Sequence, residues 1–182
     1  REGRTITFDV FLGAKRVQTV SIDLVADEID CGKPDRISPA DRIELAGIES
    51  YDYPVYPAER AVADKACGIV ERHSGRPSSR VKDLVDIVVY ARNVAFGFDT
   101  LSAALKTEFS VRKLASSRTF STPPEWGDAQ ARQYRRLAEQ TGTPNHFHDI
   151  RNAETLAKKL IEPCLSDRTD LSVWSTKTLT WE

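Results

Sequence analysis

The segment ADKACGIVERHSGRPSSRVKDLVD, residues 63–86, holds the side chains best suited to chemistry on an anion. At 100° per residue, Val62, Ala63, Ala66, Ile69 and Val70 form the core arc of a helix. Lys65 and Arg72 lie together just past the edge of that arc, beside only Ala61 and Gly68. Two cations flanking small residues leave room for an anion to approach the backbone. Equally, both can lay their aliphatic stems on apolar surface and end in water. A second pattern has an apolar face of Val81, Leu84, Val85, Ile87, Val88 and Val89, and Asp83 and Asp86 share the remaining strip with Lys82 and Tyr90. Asp83 alone suits the positive end of a helix. If a short loop makes the two helices antiparallel neighbours, Lys65 is brought toward a carboxylate. Asp23, in VSIDLV, is the third such residue: by alternation it shares a face with Ser21 and Val25, opposite Val20, Ile22 and Leu24. It reads either as a carboxylate on the solvated face of an edge strand or as an oxygen ligand for Mg²⁺.

The elements that would position these residues follow from periodicity and punctuation. RTITFDVFLG alternates, with Ile6, Phe8, Val10 and Leu12 on one face; after Gly13-Ala14-Lys15, RVQTVSIDLVAD is rich in Val, Ile and Thr. The two predict a β-hairpin or neighbouring strands. Residues 28–53 read as a connection broken by Gly32, Pro34 and Pro39, with a further short strand around Ile43 to Ile48. Pro57 opens a helix running to about Arg72, with Glu59 in its first turn. His73 to Ser79 is loop, Ser78 or Ser79 is the predicted N-cap, and the next helix runs from about Val81 to Arg92. FDTLSAALKTEFSVRK, EWGDAQARQYRRLAEQTG and AETLAKKLIEPCL predict three more helices, the last stopped by Pro163, and DLSVWSTKTLTWE is strand-like. The fold class is α+β: a β-containing portion over 1–53, then a mainly helical domain over 54–182.

Composition narrows the function. Apolar residues are 40% and charged residues 29%, ordinary for a soluble globular protein. The net charge of −1 gives no global basic field, so nucleic acid would need a local patch. Arg112, Lys113, Arg118, Arg132, Arg135 and Arg136 supply candidates for one, or are ordinary solvated helix faces. Cys31, Cys67 and Cys164 are widely spaced without a CxxC pair, which argues against a disulfide framework or a zinc site and favours a reducing, cytoplasmic compartment. No apolar run has the length of a membrane helix, so no membrane partner is expected. His146, His148 and Asp149 cluster in NHFHDIRN, but without a distant ligand motif they read as surface or loop residues.

SIDLVADE, YPAERAVADKACGIVERHSGRPSSRVKDLVDIVVYAR and TPPEWGDAQARQYRRLAEQTG together resemble the AbiEii/AbiGii (MenT-like) nucleotidyltransferase toxin family. The family's helical YP…ADK…A…R and R-KDL-D patterns match at Tyr56, Pro57, Asp64, Lys65 and Arg72, and at Arg80, Lys82, Asp83, Leu84 and Asp86. A later PP-x-W…Y signature matches at Pro123, Pro124, Trp126 and Tyr134. The resemblance implies part of a polymerase-β-like nucleotidyltransferase core followed by a helical C-terminal domain. It implies the toxin of an abortive-infection toxin–antitoxin pair, with some members transferring NMP from an NTP to tRNA 3′ ends. Carried over by position, Asp23 is the third carboxylate of a Mg²⁺ (or Mn²⁺) site, and Lys65 meets the triphosphate. Asp83 orients Lys65 or assists deprotonation of the attacking hydroxyl, and Arg72, Arg80 and Asp86 are further substrate-binding positions. The implied partners are a cognate antitoxin, an NTP and tRNA or other RNA. The family's Gly-Ser…Asp-x-Asp motif is not found in the 182 residues, which include no methionine. The expectation is therefore a latter part of a longer toxin, inactive alone. The competing readings are a catalytically incomplete remnant serving as an antitoxin- or RNA-binding module, and a nucleotidyltransferase that AMPylates protein.

Overall fold

Strand alternation, helix periodicity and loop punctuation appear in the computed structural model, which describes residues 2–26, 32–38, 46–47, 51–114, 119–166, 168 and 170–182. It contains two compact units, Arg1–Pro34 and Asp35–Glu182.

The first unit is the hairpin of β1 (Glu2–Leu12) and β2 (Lys15–Ala26), with Gly13 at φ 61° in its turn. Only a residue tolerating the left-handed region closes so short a turn easily. The register pairs Thr5 with Asp23, Thr7 with Ser21 and Asp9 with Thr19, so these six polar residues share one face. Ile6 opposite Ile22 and Phe8 opposite Val20 make the other face apolar.

In the second unit, β3 (Asp35–Ile37) pairs antiparallel with β4 (Tyr53–Val55). The strand expected around Ile43 to Ile48 lies outside the described residues, apart from a turn at Ala46–Gly47. Five helices follow among the described residues: α1 (Ala58–Val70), α2 (Val81–Asn93), α3 (Phe98–Val111), α4 (Asp128–Ala138) and α5 (Ile150–Leu165). Pro57 precedes α1 in extended backbone and caps it, so the proline sits one residue outside the helix. α1 packs on α2 and α3, and α5 packs on α2 and α3, around a core of Val62, Ile69, Leu84, Ile87, Leu101, Phe109 and Leu160. Burying such side chains contributes roughly 1.5–3 kcal/mol each.

Both ends of α5 differ from the sequence reading. Asp149 is the N-cap of α5, its carboxylate accepting from Arg151 N–H at 2.8 Å and Asn152 N–H at 3.3 Å. Asp149 is therefore committed to the helix end rather than to a histidine cluster. Pro163 lies inside α5, in its last turn, where its missing N–H removes one backbone bond without ending the helix.

The tail folds back as β5 (Trp174–Ser175) and β6 (Thr180–Trp181). Trp174 is fully buried and its indole N–H donates to Ala91 O at 2.6 Å. Trp181 packs edge-on against both Phe98 and Trp174, and donates to Leu160 O at 3.1 Å. Trp174→Ala is expected to cost about 3–5 kcal/mol, through the cavity and the lost bond. Urea denaturation reads it; a loss below about 1 kcal/mol would show the tail hairpin to be incidental to the core.

Candidate functional site: a lysine between two aspartates

The α1–α2 pair does what its polar pattern demands. Lys65 Nζ lies 2.7 Å from Asp86 Oδ2 and 3.6 Å from Asp83 Oδ1. All three side chains are largely buried, Asp83 most so at 14% exposed. Lys65 thus turns inward to α2 rather than out to water. Asp86 is shared: Lys82, one helical turn earlier, reaches it at 2.8 Å. Arg80 approaches Asp83 Oδ2 at 3.4 Å. Three cations and two carboxylates leave the cluster with one net positive charge.

Burial pulls the Lys65 pKa down, but the hydrogen bond and charge of Asp86, with Asp83 adding, outweigh it and hold it above its ordinary value. Burial pushes Asp86 up, and the bonds from Lys65 and Lys82 more than reverse this, so it sits below the usual carboxylate range. Lys65 is therefore a fixed cation at neutral pH, and Asp86 a fixed anion.

Gly68 sets the spacing of the two helices. A Cβ there would lie 3.0 Å from Arg80 Cδ and 3.3 Å from Asp83 Oδ2. The gap expected beside Ala61 and Gly68 is therefore filled by α2 side chains. Arg72 does not join Lys65. It donates to Gly75 O at 3.0 and 3.2 Å and to Glu125 at 2.7 Å.

The connection between the helices is held from several sides. Ser78 is not the N-cap; Arg80 is, without a side-chain cap. The buried Ser78 hydroxyl instead donates to Gly68 O at 2.6 Å and accepts from Arg80 N–H at 3.2 Å. Trp126 N–H donates to Ser78 O at 2.7 Å, and Tyr134 OH donates to Phe147 O at 2.8 Å. Two residues of the PP-x-W…Y signature thus make structural bonds, and Trp126 locks the α1–α2 loop.

Arg112 overturns one expectation. Far from a free basic residue, it is 11% exposed and bonds Glu108 at 2.6 Å, Glu71 at 3.0 Å and Asp64. It ties α3 to the helix carrying Lys65. The i,i+4 spacing points to Glu108, but no spacing rule reveals Asp64 and Glu71, which are 48 and 41 residues away. Lys113, Arg132, Arg135 and Arg136 are exposed, and Arg118 lies outside the described residues.

Asp23 belongs to the first unit, where Thr5 Oγ1 donates to its Oδ1 at 2.7 Å. Among the described residues no group of three His, Cys, Asp or Glu side chains is arranged to hold a metal ion. A lone carboxylate bonded to a threonine does not by itself fit a divalent cation. His148 Nε2 donates to Thr143 O at 2.9 Å. Cys67 and Cys164 are buried free thiols, Cys164 with its pKa pushed up to about 12 by burial. No described helix is long and apolar enough to cross a membrane.

Two tests follow. Arg112→Met leaves Asp64, Glu71 and Glu108 facing one another without their cation. It is expected to cost about 3–5 kcal/mol in chemical denaturation; a near-neutral result would mean the cluster does not brace α1. The Lys65–Asp86 pair gives a pH signature. Asp86 stabilises above its ordinary 3.8, losing the contribution as pH falls. Lys65 stabilises below its ordinary 10.5, losing it as pH rises. The stability gap between wild type and Asp86→Asn should hold between those limits and narrow on both sides; a gap constant to pH 2 (about two units lower) contradicts the pairing.

The comparisons bear on the whole arrangement. The search of curated proteins found no match, and neither did the search of solved structures. The family model described as "Nucleotidyl transferase AbiEii toxin, Type IV TA system" matches residues 1–160. That span contains the hairpin, Lys65, Asp83 and Asp86, and membership implies a nucleotide substrate and an antitoxin partner at the level of the family. The chain belongs to the AbiEii family of nucleotidyl transferase toxins from type IV toxin–antitoxin systems.

Proposed function

We propose that this protein transfers NMP from an NTP to RNA, at tRNA 3′ ends, as the cytoplasmic toxin of a toxin–antitoxin pair. The observation that carries the site assignment is the Lys65 ammonium poised between Asp83 and Asp86 at a helix–helix edge. In such a transfer the acceptor hydroxyl oxygen bonds to the α-phosphorus, the bridging oxygen to the β-phosphorus leaves with pyrophosphate, and the hydroxyl gives up its proton. Charge grows on the leaving pyrophosphate, and an ammonium placed there stabilises it.

Lys65 fills that role as a point charge with three donors. Its two aspartates hold it charged and aimed before a ligand arrives, so little reorganisation remains for the reaction step. Asp83 either keeps Lys65 oriented or takes the proton of the attacking hydroxyl. Arg80 and Arg72 are secondary phosphate positions, and Asp86 is the residue that fixes Lys65. The family's chemistry uses a divalent cation, Mg²⁺ or Mn²⁺. Asp23 is our proposed oxygen ligand from this chain, and among the described residues no group of three His, Cys, Asp or Glu side chains is arranged to hold a cation with it.

The test uses the product of the intact reading frame with each labelled NTP, Mg²⁺ and total tRNA. Label in RNA is expected, with a loss of at least about a hundredfold for Lys65→Ala, the scale of removing one preorganised electrostatic group. Label in protein instead would replace the acceptor by a protein. Absence of label from RNA with all nucleotides sinks the RNA assignment, and full activity in Lys65→Ala removes that residue's role.

A further inference from the structure

A cavity of about 590 Å³ lies against the α1–α2 loop, lined by His73, Ser74, Arg76, Ser79 and Arg80 among others. Among the described residues no acidic side chain lines it. The walls are built rather than loose. His73 and Arg76 exchange both backbone bonds, at 3.1 and 3.0 Å, around Ser74 at φ 53° and Gly75 at φ 77°. Two consecutive residues at positive φ make a tight primed turn, and its two flanking residues project to one face. A serine in the left-handed region is held there by its surroundings. Here Arg72 grips Gly75 O and anchors on Glu125, while Trp126 and Gly68 O fix Ser78.

The charges of this cavity are only partly neutralised. Arg76 makes no ion pair among the described residues. Arg80 meets Asp83 at 3.4 Å, long for a charged bond, and His73 Nε2 lies 3.7 Å from Glu71. α2 begins beside the same residues without a side-chain cap, and its N-terminus adds partial positive charge that Asp83 in the first turn partly answers.

We propose that the cavity of the 73–80 loop is a phosphate-ester subsite in which Arg76 and Arg80, with His73 and the Ser79 hydroxyl, take one phosphate of the nucleotide or of the acceptor strand. It rests on the nucleotidyl-transfer reading only for the source of that phosphate. Arg80 belongs both to the cavity and to the Asp83 contact, so a phosphate drawing Arg80 away leaves Asp83 to Lys65 alone. The subsite and the lysine cluster then communicate through one side chain.

Arg76 is exposed and outside the lysine cluster, so its variants are expected to fold, which circular dichroism checks. ATP is titrated calorimetrically, and a short fluorescein-labelled single-stranded RNA by anisotropy, against wild type, Arg76→Ala, Arg76→Glu and Arg76→Lys. One lost phosphate contact weakens a single strand about fivefold at about 0.1 M salt and flattens the log K against log salt slope by about 0.7. Arg76→Ala is expected to show this, Arg76→Glu more, and Arg76→Lys to restore most of it. Weakening of RNA alone assigns the phosphate to the acceptor strand, and weakening of ATP alone assigns it to the nucleotide. Binding of both probes indifferent to Arg76→Glu, or no binding of either, overturns the subsite. Transfer that needs Lys65 alongside Arg76-independent binding rejects the subsite alone. Arg76-dependent binding without transfer from any NTP rejects the reaction alone.

Discussion

A half-buried ammonium held by two carboxylates organises the region where α1 meets α2. None of the three groups would be stable where it is without the others, since an uncompensated charge at that depth is strongly unfavourable. Gly68 lets α2 come close enough for Asp83 and Arg80 to reach across, and Asp86 anchors Lys65 from the next turn. Helix spacing and ion pairing therefore fix each other. The consequence for chemistry is a cation whose position is settled by the fold, not by its ligand.

A second charge cluster braces the first from behind. Arg112 joins Asp64, the neighbour of Lys65, to Glu71 and Glu108. α1 thus carries two sets of charges, one answered from α2 and one from α3. The loop between α1 and α2 is pinned with similar thoroughness, through Arg72, Ser78 and Trp126. The polar residues of this short region are the means by which three helices and one turn keep a common geometry.

The sequence carried much of this. Helical periodicity placed α1 and α2 and put Lys65 opposite Asp83 and Asp86, because local pattern and short loop length together leave few arrangements. The period-two alternation of β1 and β2 was equally readable, and it put Asp23 on the polar face. What failed were inferences needing long-range partners. Arg112 read as a basic surface residue because two of its three carboxylates, Asp64 and Glu71, come from α1 and its end, and Arg72 read as a companion of Lys65 because Glu125 is 53 residues away. Ser78 resembled a cap, yet its hydroxyl serves the backbone of Gly68 and the N–H of Arg80. Pro163 resembled a stop signal, but a proline in a final turn removes only one bond.

The tail hairpin has a bearing on how the molecule can be handled. The family match stops at residue 160, whereas the core continues through Ile161, Cys164, Leu165 and Trp174. Glu182 is itself laced in: its carbonyl accepts from Ser172 N–H at 2.7 Å and its N–H donates to Val173 O at 2.9 Å. A fragment cut at the family boundary would expose the floor of the helical unit and leave the carbonyls of Ala91 and Leu160 without their indole donors. Homology marks where relatives agree, whereas these indoles carry the packed core past that boundary, and expression boundaries or fusion junctions should respect the latter.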